Sequence, residues 1–165
     1  MFLDYESYCQ KVENLDKQYW TNSRDSRWSY MSHVIDLLKL VKAERIMEAG
    51  ANEMPLNSES YLLDYPKYDL NIMDTYDFGI KFDAFVALQV WEHLTDQRRA
   101  FEGIMKIANI VILSFPYKWK SGTNIHKNID DKKIGEWTLG IEPIHTKDIK
   151  SNGLTRRICL WNFEK

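Results

Sequence analysis

Four clusters of residues in this sequence have the types and spacing to do chemistry. Gly50 closes a short apolar stretch, with Glu48 two positions before it and Asn52 two after. Asp64 and Asp69 each stand in or just after brief apolar runs, and Gln89-Val90-Trp91-Glu92-His93 follows the longest of them. His126 and His145 lie in the last third of the chain. A residue without Cβ lets a ligand approach the backbone and permits unusual φ/ψ. A carboxylate at the end of a strand can accept two hydroxyl hydrogen bonds at once. Histidine titrates near neutrality and suits proton transfer, and an indole face attracts cations.

Missing motifs narrow the field. No Gly-x-x-x-x-Gly-Lys occurs, so a Walker-type phosphate cradle is excluded. The Gly-x-Gly-x-x-Gly fingerprint is absent after the first strand, which argues against a nicotinamide-dependent oxidoreductase. Cys9 and Cys159 are far apart with no Cys-x-x-Cys pair, a pattern that fits a reducing cytoplasm rather than zinc or disulfides. Glu92 and His93 are adjacent, which is not metal-ligand spacing, and no metal site is expected.

The elements that must position these residues read as alternating strands and helices. The first 30 residues, rich in Tyr and Trp, read as a helical lead-in. Val34, Leu37, Leu38 and Val41 follow the i, i+3, i+4, i+7 spacing of an amphipathic helix. Short strands are expected at 45–50, 61–64 and 68–70, and a continuous apolar strand at 82–90. Thr95 or Asp96 caps the next helix, whose inward stripe is Phe101, Ile104, Met105 and Ala108. A second apolar strand runs from Ile110 to Phe115 and stops at Pro116. Strand, helix, strand, with both strands apolar throughout, implies a right-handed parallel crossover. A helix over 130–137 and a closing strand over 155–163 complete an α/β three-layer sandwich with a mostly parallel, Rossmann-like sheet. In such sheets ligands bind beyond the carboxyl ends of the strands, where the four clusters lie.

Composition agrees with one soluble domain spanning residues 1–165. Of 165 residues, 44% are hydrophobic and 28% charged, as in folded chains. The net charge of −2 gives no basic excess for a nucleic-acid backbone, so no such partner is expected. No apolar run approaches the ~20 residues of a membrane span, and the opening residues carry no leader pattern. A cytoplasmic location is expected. Charge is uneven: residues 1–117 hold 12 basic and 18 acidic side chains, and residues 118–165 hold 10 and 6.

Together, Glu48-Ala49-Gly50-Ala51-Asn52, Asp64, Asp69 and the stretch from Phe82 through Val90-Trp91-Glu92-His93-Leu94 to Ser114-Phe115-Pro116 resemble the class I S-adenosylmethionine-dependent methyltransferases. The likeness runs from about Trp28 onward and is most specific from Phe82 to Pro116. It implies a sheet of seven strands with the last antiparallel, and S-adenosylmethionine as cofactor. Gly50 matches the glycine beside the methionine part, and Glu48 the acidic residue of that motif. Asp64 would take the ribose hydroxyls, Asp69 the adenine amino group, and Leu70 would lie against the ring. Gln89, Val90 and Trp91 would line the methionine side, with Trp91 near the sulfonium. Asn52 stands where the family has a second glycine, and it tolerates left-handed backbone. The Gly50–Asp64 interval, broken by Pro55, is too short for a crossover helix, so a loop or single turn is expected.

The implied reaction is in-line displacement of the sulfonium methyl by a nucleophile on a small-molecule acceptor, such as a saccharide or metabolite hydroxyl. Residues 117–150, with Tyr117, Trp119 and Trp137, would build the acceptor side, and His93 or His126 would serve as base. For His93 the plain alternative is a helix cap or a hydrogen bond to a loop carbonyl, and for His126 an ordinary surface histidine. The rival to an enzyme is a methyltransferase-like fold that has lost turnover and acts as a binding or regulatory partner.

Overall fold

Period-two alternation along the apolar runs sets the sheet. The computed structural model describes residues 1–120 and 125–164. Among them are β1 (Ile46–Ala49), β2 (Tyr61–Leu63), β3 (Phe82–Leu88), β4 (Ala108–Tyr117), β5 (His145–Ser151) and β6 (Leu154–Asn162). The helices are α1 (Tyr5–Leu15), α2 (Gln18–Leu40), α3 (Gln97–Ile107) and α4 (Asp131–Trp137). Sheet order is β2-β1-β3-β4-β6-β5, with β1–β4 mutually parallel and β6 antiparallel to both of its neighbours. Side chains on a strand point alternately to its two faces. Phe85, Ala87, Val111, Leu113 and Trp161 therefore pack on one core with Phe101 and Ile104 of α3 and Trp137 of α4. Ala84, Val86, Ile112 and Leu160 pack on the other with Val34 and Leu38 of α2 and Tyr8 of α1. Helix, sheet, helix is the expected three-layer α/β sandwich.

Several expectations need correction. The described sheet has six strands, not seven. Tyr68-Asp69-Leu70 is not a strand: Asp69 caps a 3₁₀ turn over Leu70–Thr75, its Oδ1 accepting the Asn71 N–H at 2.9 Å. An aspartate that bonds two residues ahead offers the backbone a turn in place of a ladder. Pro116 does not stop β4. Beyond Ser114 that strand has lost its pairing with β3 and keeps β6 alone, the edge condition in which proline is tolerated. β5 lies inside the segment 117–150 and was not expected, because His145-Thr146-Lys147-Asp148 carries no apolar alternation; Lys147 and Lys150 are exposed on this outermost strand. The 121–124 part of that segment lies outside the described residues.

The β1–β2 connection holds no helix, as the short spacing implied. Two other devices fill its place. The buried Glu48 carboxylate accepts the Leu56 N–H at 2.9 Å and the Asn57 N–H at 3.1 Å. Leu3 N–H donates to the Leu56 carbonyl at 2.8 Å, and Met54 and Leu56 sink into the core beneath α2. Burial pushes the Glu48 carboxyl up, while these amide donors pull it back down. Among the described residues no helix is long and apolar enough to cross a membrane.

Candidate active site

The carboxyl ends of β1–β3 open on a cleft of about 470 Å³. Gly50, Leu63, Tyr68, Asp69, Leu70, Val90, His93 and Leu94 are among the residues that wall it. Gly50 has φ +70°, and a Cβ there would stand 2.5 Å from Val90 Cγ2. Both the backbone conformation and the space demand glycine. Asn52 follows with φ +50°, the left-handed conformation that asparagine tolerates. Opposite, Gln89 is also left-handed at φ +57°. It is held there by Ser114 on β4, whose Oγ accepts Gln89 N–H at 2.9 Å and Nε2–H at 3.0 Å. A non-glycine residue in this region is held by its surroundings.

Asp69 stands on the cleft wall with one carboxylate oxygen engaged. Its Oδ1 accepts from both Asn71 N and Asn71 Nδ2 at 2.9 Å. Asn71 Oδ1 in turn accepts from Thr95 N, Thr95 Oγ1 and Asp96 N, at 2.9, 3.0 and 3.1 Å. The turn bearing Asp69 is thereby riveted to the start of α3. Asp64 lies on the far side of the glycine loop, where its Oδ1 accepts Asn52 N–H at 3.2 Å. It borders a second cleft of about 480 Å³ with Lys17, Tyr19, Trp20 and Asn52. Gly50 to Asn52 thus forms the partition between the two.

The stretch after β3 divides by burial. Trp91 is fully buried, edge-on to Phe85 with ring centres 6.4 Å apart. It belongs to the core and is not on the cleft wall, against the expectation that it lines the methionine side. A three-residue 3₁₀ turn, Trp91–His93, sends neighbouring side chains in different directions. Glu92 is buried as well, and one carboxylate oxygen has no partner. Burial pushes its carboxyl up to about 7, moderated by its own backbone amide and by Arg156. His93 emerges half-exposed at the cleft rim, its Nε2 3.9 Å from Glu92 Oε1.

The other histidines are engaged elsewhere. His126 sets Nε2 3.1 Å from the Leu94 carbonyl, with its ring edge-on to Trp137 at 5.2 Å. His145 sits on β5 with Nε2 3.4 Å from His33 Nε2. Tyr117 and Trp137 are buried in the core, whereas Trp119 is partly exposed and donates Nε1–H to the Thr155 carbonyl at 2.7 Å. Among the described residues no three His, Cys, Asp or Glu side chains gather around one point. Sequence reasoning missed Asn71, Ser114, Arg27 and Arg156. The first two were visible only as polar residues beside strand or turn ends. Arg156 bears on the site from a distant part of the chain through its charge on Glu92, and Arg27 lines a separate small cavity under α2 with Glu48 and Gly50.

No protein-family model and no curated protein matches this sequence. Solved structures do. The magnesium protoporphyrin IX methyltransferase ChlM from Synechocystis PCC 6803, with bound SAH, superposes at TM-score 0.62 and 14% identity, covering 87% of this chain and 86% of that one. An S-adenosylmethionine-dependent methyltransferase from Clostridium acetobutylicum superposes at 0.58 and 10% identity, over 98% and 99%. The N-methyltransferase NodS from Bradyrhizobium japonicum does so at 0.56 and 12%, over 89% and 98%. The chain has the class I methyltransferase fold.

Proposed function

We propose that this protein is an S-adenosylmethionine-dependent methyltransferase acting on a small-molecule acceptor. The observation that carries the reading is Gly50. A positive φ and a Val90 methyl where a Cβ would lie keep this wall bare, beside a carboxylate-bearing cleft at the strand ends. At about 470 Å³ the cleft falls within the ~300–1,000 Å³ typical of small-ligand sites. When bound, S-adenosylmethionine supplies an electrophilic methyl group on a sulfonium.

The residues fit that group. Leu63, Leu70, Val90 and Leu94 offer an apolar slot for a flat base. Asp69 keeps its second carboxylate oxygen free for an exocyclic amino group. Asp64, which borders the neighbouring cleft and not this one, takes the ribose hydroxyls where the ligand passes the partition loop. Glu48 keeps the loop folded beneath the ligand, and Gln89 and Val90 form the opposite lip. His93, at the rim, is the acceptor-side base that takes a proton from a hydroxyl or amine, a contribution of ~10²–10⁴-fold. His126 braces the Leu94 carbonyl behind it.

Calorimetric titration with S-adenosylhomocysteine tests the reading. Micromolar binding is expected, weakened ~10-fold or more by Asp69→Ala through loss of a charge-assisted hydrogen bond. The second reading, a fold kept without turnover, is favoured by the missing crossover helix and by Asn52 in place of the second glycine. No heat with either S-adenosylmethionine or S-adenosylhomocysteine would overturn the enzyme and leave that one.

A further inference from the structure

Where the second half of α2 meets the outermost strand, two histidines 112 positions apart in the chain face each other. His33 stands on α2, and His145 opens β5. Side chains at every second position of a strand share a face, so His145 points the same way as Ile149, which packs against the core beneath α2. The two rings meet through nitrogen. Nε2 lies 3.4 Å from Nε2, while the ring centres are 5.6 Å apart and the planes are inclined at 36°. Both side chains are half-buried in the seam between helix and strand.

An ordinary contact accounts poorly for this pair. Among the described residues neither histidine forms an ion pair with a carboxylate. A direct bond between the rings needs one nitrogen as donor and the other as acceptor, and 3.4 Å is beyond the ~2.7–3.2 Å of a well-formed N–H···O bond. The spacing suits a third atom between them. Two nitrogens each ~2.0–2.1 Å from one ion, at the tetrahedral angle of ~109°, stand ~3.3–3.4 Å apart. The charged groups acting on His33 are Asp36 and Lys147, opposite in sign and both exposed, where solvent and salt screen them. Among the described residues no third His, Cys, Asp or Glu joins the pair, which leaves the other coordination positions to water. The sequence expectation of no metal site rested on the cysteines and on Glu92-His93; this pair is assembled only by the fold.

We infer that His33 and His145 bind a divalent transition ion such as Zn²⁺, Ni²⁺ or Cu²⁺ through their two Nε2 atoms, so that the ion ties α2 to the edge strand β5. Imidazole suits these ions, whereas Mg²⁺ and Ca²⁺ take oxygen ligands. With two protein ligands and water completing the shell, the ion exchanges and is not required for folding. A clip joining residues 112 positions apart stabilises the folded chain, because the two rings are brought together only there. The inference uses none of the cleft residues and stands or falls apart from the methyltransferase reading.

The test is thermal unfolding and calorimetric titration of the full chain, without a histidine tag, against ZnCl₂, NiCl₂ and MgCl₂. Wild type, His33→Ala and His145→Ala are compared. In wild type one Zn²⁺ or Ni²⁺ should bind per chain, and at ~100 times its Kd should raise the unfolding midpoint by ~5–10 °C. Mg²⁺ should do neither. Losing a group that merely orients a metal ligand costs ~10–100-fold in affinity, so either variant should bind at least ~10-fold more weakly. The rings are half-exposed, and metal-free midpoints close to wild type would verify that both variants fold. Electron paramagnetic resonance of the wild type with one equivalent of Cu²⁺ reads the site without any variant, and splitting from two nitrogens is expected. No binding of Zn²⁺ or Ni²⁺, or a copper spectrum without that splitting, would overturn the proposal. Undiminished binding in either variant would overturn it too, by placing the ion elsewhere, as would an equal effect of Mg²⁺.

Discussion

The half of the sheet that borders the clefts and the half that does not are built by different means. β1 and β2 have four and three residues, whereas β4 and β6 have ten and nine and pair along eight registered positions. The first half is held by polar devices: Glu48 on the Leu56 and Asn57 amides, Ser114 on Gln89, and Asn71 on the start of α3. The second half is held by area, with Phe101, Phe115, Trp137 and Trp161 buried together. Its polar clamp, Arg157, spans β5 and α4 by pairing with Asp148 at 2.7 Å and with Asp131, over the Tyr117 ring. Stability is concentrated where the ladder is long. The left-handed Gly50 and Gln89 stand just beyond the ends of β1 and β3, on the cleft-bearing half.

The comparison is broken most severely from the apolar side. Trp161→Ala removes a buried indole that stacks edge-on with Phe101, ring centres 5.3 Å apart. It is expected to cost about 3–5 kcal/mol in urea unfolding. S-adenosylhomocysteine affinity, measured where the variant remains folded, should hold within about threefold. A large loss of affinity there would merge the two halves into one.

Next comes pH. Glu92 lies between the halves, and burial raises its folded pKa to about 7 from an unfolded value near 4.5. A raised pKa means that the folded state favours the proton. The stability from this group is complete below about pH 4.5 and falls as pH rises through 7. Over that window the linkage amounts to about 3 kcal/mol. Glu92→Gln should flatten the dependence and unfold later than wild type at pH 8. Urea midpoints at pH 5 and pH 8 for both proteins check this, and parallel curves would refute it.

The smallest of the three effects on stability concerns the partition loop. Gly50→Ala puts a Cβ 2.5 Å from Val90 Cγ2 at φ +70°. About 1–3 kcal/mol of destabilisation is expected. Affinity for S-adenosylhomocysteine should fall at least ~10-fold, out of proportion to that loss. Thermal unfolding with and without ligand separates the two quantities.

How much the sequence disclosed follows the same division. β3, β4 and α3 were legible because their apolar runs and stripe satisfy the periodicities directly, although Ala108, expected in the stripe, is extended and opens β4. The closing strand was legible from Arg156, Ile158, Leu160 and Asn162 interleaved with Arg157, Cys159, Trp161 and Phe163. α2 was read in two pieces, the end of a helical lead-in and an amphipathic stripe from Val34 to Val41, and not as one helix. Its first half, Thr-Asn-Ser-Arg-Asp-Ser-Arg, lacks a stripe and is rich in residues that bond their own backbone, as Ser23, Ser26 and Ser29 do to carbonyls three or four residues back. β5 was hidden because an exposed outer strand needs no apolar face. At the site, Gly50 and Val90 were readable from their place after β1 and β3, whereas Asp69 was singled out by the resemblance alone, since the strand expected around it is a 3₁₀ turn. Trp91 misled because a 3₁₀ turn, not visible in composition, rotates it inward. The Arg27 cavity depends on α2 crossing above β1, a tertiary fact with no local signature.

The two margins of the sheet carry a consequence for how copies of this protein meet one another. At one margin β2 presents three residues, too brief a template for an incoming strand. At the other, β5 displays Lys147 and Lys150 to solvent, and two such borders brought together would repel. Zipping of one molecule's sheet onto another's is disfavoured from both directions, which protects a fold whose sheet never closes on itself.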